Sequence, residues 1–117
     1  MTPSEFVAWV ALRAPSLRPR LDALAEEWGE PPPQTEVALF VIVPGLVESV
    51  RKPDAGARLE IAHLLEEMCE HEDDDLPTNI VLTIAPAVAE NLSAEEFRDS
   101  LGERMRMQVA PYADAGA

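Results

Sequence analysis

Residues that begin or end helices divide the chain into six amphipathic segments, and this spacing is the strongest constraint on the fold. Within the segments, apolar side chains recur at intervals of three and four residues, the periodicity of a helix with one buried face. The pattern predicts an all-α protein of about six helices, packed as antiparallel hairpins. The length of 117 residues fits a single helical domain over 1–117.

The first two segments predict an N-terminal hairpin over residues 4–28. Ser4 and Ser16 are the predicted N-caps of its helices, because a serine hydroxyl can accept a hydrogen bond from an unpaired backbone N–H of the first turn. Gly29 and the three prolines that follow it end the second helix, and they predict an extended linker over 29–34.

The third segment opens a helical core predicted over residues 35–109, with Thr35 as its cap. It is apolar nearly all round over 37–47, which favours a central buried helix kinked by Pro44. A β-strand over 37–43 is the alternative, because this stretch is rich in β-branched residues.

The fourth segment begins at Asp54, a good N-cap, and is expected to run to about Glu72. Its predicted apolar face contains Ile61, Leu64, Leu65, Met68 and Cys69.

The last two predicted helices follow an acidic break that ends at Pro77. One runs over about 78–92 and contains Pro86. The other begins at Ser93, where Glu96 completes a capping box, and extends to about residue 109. Residues 110–117 are expected to be a frayed tail.

A shift of 42 residues superimposes part of the apolar pattern on itself, with Pro44 falling on Pro86 and Leu59 on Leu101. Two helices per unit and a proline in the first helix are typical of HEAT-like repeats. A coincidence of two amphipathic hairpins is the alternative explanation.

The charge balance limits the kind of partner. The chain contains 22 acidic and 9 basic residues, a formal net charge of −13. Such a charge attracts cationic partners and repels nucleic acids and anionic membranes. The longest apolar stretch, 37–47, is too short to span a bilayer. A single cysteine permits no intrachain disulfide, so a cytoplasmic location is expected.

Residue patterns for catalysis or metal binding are weak. Glu60, His63, Glu67 and His71 share one side of the predicted fourth helix, which would allow a divalent-cation site, but a solvated polar face is the favoured interpretation. The only thiol, Cys69, has mostly acidic neighbours that oppose thiolate formation, which favours a packed structural role. The sequence therefore predicts no enzyme, no cofactor and no metal.

The acidic residues themselves are the strongest candidate for a binding site. Between Glu60 and Asp75 the chain has eight acidic residues and no lysine or arginine. Negative charge near a helix C-terminus opposes the helix dipole, so its concentration there suggests a role in binding. We call the following residues the acidic patch, and we expect them to pair with Arg or Lys of a partner: Glu66, Glu67, Glu70, Glu72, Asp73, Asp74 and Asp75.

Residues 63–92 also carry a family resemblance. A leucine-rich helix opens with Leu64-Leu65-Glu66, an acidic break follows, and an apolar helix ends with Glu90-Asn91-Leu92. This arrangement resembles small helical bacterial proteins associated with polymorphic toxin systems, a toxin–antitoxin class. The resemblance implies an immunity protein that binds and blocks a cognate toxin, and it implies no catalytic residue.

Two hypotheses follow from these patterns. The first is a non-enzymatic binding protein of the immunity or inhibitor type, which holds a basic protein partner through the acidic patch. The second is a HEAT-like scaffold or adaptor subunit that binds through an apolar groove between hairpins.

Overall fold

A computed structural model describes residues 2–52, 54–70 and 79–115, and all secondary structure in these ranges is helical. The all-α prediction is confirmed. The described residues form seven helices, which we number α1 to α7. Among them, no helix combines the length and the apolar character needed to cross a lipid bilayer.

Helix α1 spans Pro3–Arg13 and begins two residues earlier than predicted. Its N-cap is Thr2 rather than Ser4. The Thr2 hydroxyl accepts from the Glu5 backbone N–H (3.2 Å), and the Glu5 carboxylate accepts from the Thr2 N–H (3.1 Å). This reciprocal capping box satisfies two unpaired donors, which Ser4 inside the first turn could not do.

A 3₁₀ turn at Pro15–Leu17 leads into helix α2, Arg18–Trp28. Ser16 therefore lies within the turn and does not cap α2, as the sequence had predicted it would. Gly29 ends α2 in the left-handed conformation (φ +72°), and its N–H donates to the Ala25 carbonyl. Because that conformation is strained for residues with a Cβ, glycine is the natural end of this helix. The extended linker is shorter than predicted, since Gln34 already belongs to the next helix.

Helix α3 occupies residues 34–51 in three continuous parts: Gln34–Val37, a π-helical turn over Ala38–Ile42, and Val43–Arg51. The β-strand alternative for 37–43 is wrong. In the π turn the Val43 N–H donates to the Ala38 carbonyl, five residues back. The widened turn ends two residues before Pro44, whose missing N–H and bulky ring disturb the normal helical bonding.

Helix α4 spans Ala55–Glu70 and has the predicted cap, because the Asp54 carboxylate accepts from the Ala57 N–H (3.1 Å). Its apolar face is buried as predicted over Ile61, Leu64, Leu65 and Met68, with Cys69 half-buried at the edge.

The C-terminal part contains three helices: α5 over Asn79–Asn91, α6 over Ala94–Ser100 and α7 over Glu103–Ala115. The Ser93–Glu96 capping box is confirmed. The predicted sixth helix is divided because Leu101 adopts an extended conformation. Helix α7 continues through 110–115, where the sequence predicts a frayed tail.

The helices enclose one apolar core to which α1 to α7 all contribute. Residues 43–51 of α3 pack against α4, and α5 packs extensively against α7. The prolines of α3 and α5 therefore both lie in helices that pack against a following amphipathic helix. This arrangement leaves the outer faces of α2, α3 and α4 to form the candidate binding surfaces.

Candidate binding surfaces

Three residues of the predicted acidic patch lie on helix α4: Glu66, Glu67 and Glu70. The other four, Glu72, Asp73, Asp74 and Asp75, lie outside the described residues. The structure therefore shows the surroundings of the helical part of the patch, and there each carboxylate has a partner within the molecule.

Glu66 forms a cap on another helix. Its Oε1 accepts a hydrogen bond from the backbone N–H of Met105 (2.8 Å), in the first turn of α7. Gly102 lies so close that a Cβ at this position would collide with the Glu66 side chain. A carboxylate at the N-terminus of a helix satisfies an unpaired donor and complements the helix dipole. Glu66 therefore holds α4 and α7 together.

Glu67 and Glu70 pair with arginines of two other helices. Glu67 Oε2 lies 3.2 Å from Nε of Arg13 at the end of α1, and Glu70 Oε1 lies 2.5 Å from Nη1 of Arg104 in α7. All four side chains remain partly exposed to solvent. No Lys or Arg lies near these carboxylates along the sequence, but arginines distant in the chain partly neutralise them in the fold. The glutamate side chains still stay partly exposed to solvent.

The predicted metal-binding alternative receives no geometric support. Within the described ranges, no three His, Cys, Asp or Glu residues are placed to hold a metal ion. His71 lies outside those ranges, whereas Glu60, His63 and Glu67 are on α4. Cys69 is half-buried, with its Sγ 3.9 Å from Sδ of Met105. This thiol contributes to the packing of α4 against α7.

A groove of about 670 Å³, lined by both apolar and charged residues, lies between α2 and α3; the sequence patterns suggested a groove between hairpins but not the residues that line it. Its floor and walls include two aromatic side chains, which are among the larger exposed apolar groups of the described chain. The residues that line this groove are Arg20, Ala23, Leu24, Glu27, Trp28, Glu36 and Phe40.

A second groove of about 500 Å³ lies between α3 and α5. Its apolar wall is aliphatic and includes Leu39, Val43, Val47 and Ala87. Arg20 lines both grooves, so the two lie side by side along α3. We call them the aromatic groove and the aliphatic groove.

The π turn of α3 places apolar side chains on the surface. Ala38, Val41 and Ile42 are fully buried, whereas Leu39 is 38% and Phe40 58% exposed. Trp28, at the end of α2, is 42% exposed. The all-round apolar pattern predicted a buried helix here, yet the core covers only one side of the turn. The run over 37–47 is apolar on more sides than one buried face requires, and this was the sequence signal of an additional apolar contact surface.

Carboxylates dominate the charged rim of the grooves. Glu27 and Glu36 border the aromatic groove, and Glu48 borders the aliphatic groove. Among the described residues that line these grooves, the one cation is Arg20, and it is already paired with Glu48. Because that pair is neutral, Glu27 and Glu36 leave the combined surface negatively charged.

A third, more polar pocket of about 450 Å³ lies where the 3₁₀ turn meets the ends of α3 and α4. Two cations, Arg20 and Lys52, face two carboxylates, Glu48 and Asp54, so the formal charges balance. The Ser49 hydroxyl, which also lines the pocket, donates to the Leu46 carbonyl (2.7 Å). This pocket is a neutralised junction between helices rather than a charged site.

The two grooves and their acidic rim are thus the candidate binding surfaces of the described chain. No protein family, characterised protein or solved structure matches this chain. Its function must therefore be inferred from the surfaces themselves.

Proposed function

We propose that this chain is a non-enzymatic binding protein, of the immunity or inhibitor type, that recognises a basic protein partner. The observation that carries the proposal is the cluster of exposed Trp28, Leu39 and Phe40 side chains along two grooves with an acidic rim. Apolar patches bordered by polar residues are typical of protein interfaces, and tryptophan is enriched among the residues that dominate binding energy.

The charge of the chain supports a basic partner. A net charge of −13 accelerates encounter with a cationic protein and repels nucleic acids. The side chains of Glu67 and Glu70 stay partly exposed despite their internal partners. We expect them, with Glu72, Asp73, Asp74 and Asp75, to steer the partner, while the grooves supply apolar contact.

The test is affinity capture from a native lysate with protein identification, carried out at about 50 and 500 mM salt, since exposed charges are screened within roughly 3 Å as salt approaches 1 M. We expect a basic protein whose recovery falls at high salt. Simultaneous reversal of Asp73, Asp74 and Asp75 to Lys should reduce its recovery.

A matched control reverses three exposed carboxylates elsewhere, Glu90, Glu95 and Asp99, and so changes the net charge by the same amount. Recovery that falls equally in both triple variants would show that the net charge of the chain, and not the acidic patch, attracts the partner. Recovery of no basic protein, or recovery that is independent of salt, would refute the proposed function.

The second candidate is a scaffold or adaptor subunit with HEAT-like hairpins. It is favoured by the packing of α3 and α5, which contain Pro44 and Pro86, against a later amphipathic helix, and by the 42-residue offset between these two prolines. A scaffold holds two partners at once, whereas an inhibitor forms a binary complex. The mass of the purified complex, together with its salt dependence, distinguishes them: a salt-resistant ternary complex indicates a scaffold.

A further inference from the structure

We infer that the paired grooves hold one amphipathic helix of the partner protein, with apolar residues on one face and Arg or Lys on its flanks. This inference rests on the proposed function and specifies the contact. It follows from the spacing of the groove residues along α3, from the charge of the rim and from the secondary structure of the chain.

The spacing of the groove residues corresponds to two helical turns. Phe40 lines the aromatic groove, whereas Val43 and Val47 line the aliphatic groove. From Phe40 to Val47 the α3 axis rises about 10 Å at 1.5 Å per residue. In an adjacent helix, the apolar side chains at positions i and i+7 are separated by the same rise, with position i+3 or i+4 between them. A helix lying along α3 can therefore place one anchor in each groove.

The rim charge determines the flanks of this helix. Glu27 and Glu36 are available at the aromatic groove, while Arg20 is paired with Glu48. Arg or Lys beside the first anchor would meet both carboxylates. A second copy of this chain is a poor occupant because two molecules of net charge −13 repel each other.

The backbone of the chain also limits the form of the occupant. An extended peptide that binds by strand addition needs an exposed sheet edge. The described part of the chain contains no strand, so it offers no such edge. Its grooves lie between helices, where side chains of a further helix can pack between existing rows.

The experiment uses four synthetic peptides of equal length with the intact protein. One is a helix with Leu at i, i+4 and i+7 and Arg flanks, the second replaces Arg by Glu, the third scrambles the Leu positions, and the fourth is an Arg-flanked proline-rich peptide. We expect the Arg-flanked helix to bind at least about tenfold more tightly than any of the others.

Matched variants locate the contact. Phe40→Ser should weaken the Arg-flanked helix at least about tenfold, whereas Leu59→Ser should change it less than about twofold. Leu59 has the same 58% exposure but lies on α4 outside both grooves. Reversal of Glu27 and Glu36 to Lys should transfer the preference to the Glu-flanked helix, a change that loss of structure cannot produce.

The inference is overturned if Phe40→Ser and Leu59→Ser behave alike, if the scrambled or proline-rich peptide binds as tightly, or if the grooves mediate a dimer that Phe40→Ser dissociates. If a basic protein is captured in a salt-sensitive manner and its recovery is unchanged by Phe40→Ser, this inference is rejected while the proposed function stands. Failure to capture any such protein would reject the proposed function itself.

Discussion

The outer face of α4 and the π turn of α3 depart from their sequence patterns in opposite directions. On α4 the carboxylates of Glu66, Glu67 and Glu70 look unrelieved along the chain, but each has a partner in the folded molecule. In α3 the apolar side chains look suited to complete burial, but Leu39 and Phe40 lie at the surface.

A run of charged residues along the sequence is therefore a weaker guide to a binding surface than apolar surface that stays exposed after packing. A charged side chain at the surface can find an opposite charge on any neighbouring helix. An apolar side chain left outside the core stays in contact with water, and a partner that covers a cluster of such side chains removes that surface from water.

The largest effect should separate two neighbouring positions of α3. Ile42→Ala removes a fully buried side chain and should lower the free energy of unfolding by about 2–5 kcal/mol. Phe40→Ala, at an exposed position, should change it by only about 0.5 kcal/mol. Urea denaturation measures both, and similar losses would show that Phe40 belongs to the core.

The Glu66 cap should contribute less than a core side chain. Glu66→Ala leaves the Met105 N–H without its acceptor and should lower the free energy of unfolding by about 1 kcal/mol, the usual value of a helix cap. Glu60→Ala, on the same helix, is the control.

Gly102→Ala provides an independent check on this cap, because its Cβ would displace the Glu66 side chain. Its cost should fall in the Glu66→Ala background, where that side chain has been removed. Strictly additive losses in the double variant would contradict the assignment of Glu66 as the cap of α7.

The two exposed ion pairs of α4 should each contribute about 0.2–1 kcal/mol. A double-mutant cycle of Arg104→Ala and Glu70→Ala, measured by urea denaturation, should give a coupling energy in that range at low salt. The Arg13–Glu67 pair should behave alike. A coupling energy that does not fall with added salt would be inconsistent with solvent-exposed pairs.

The smallest effect concerns carboxylates whose partners are local. Hydrogen bonds from the Thr2 N–H and the Ser93 N–H lower the pKa of Glu5 and Glu96, respectively, below the ordinary value of 4.5. Groups with a lowered pKa stabilise the fold above 4.5, and this contribution disappears as the pH falls through the lowered pKa.

Glu5→Gln combined with Glu96→Gln keeps the capping geometry but removes the titration. The stability advantage of the unmodified chain over this variant should therefore be constant near pH 7 and vanish at acidic pH. The pH dependence of the urea midpoint measures it. An advantage that grows on acidification would contradict the direction of both pKa shifts.

Features set by neighbours in the chain could be predicted from the sequence. Asp54 caps α4, Gly29 ends α2, and Ser93 with Glu96 forms the expected capping box. Each of these depends on hydrogen bonds or backbone conformations within a few residues. The break at Leu101 escaped prediction because the amphipathic pattern continues across it.

The helical class and the large negative charge could be predicted from the amino-acid sequence, because helical periodicity, caps and charge are local or additive properties. Where that charge is neutralised, and which apolar residues stay exposed, depends on how the helices pack. Glu67 meets Arg13, and Glu66 meets the Met105 N–H, across separations that no local pattern encodes. The exposure of Phe40 likewise depends on which face of α3 the surrounding helices cover, and that follows from packing rather than from the composition of the segment.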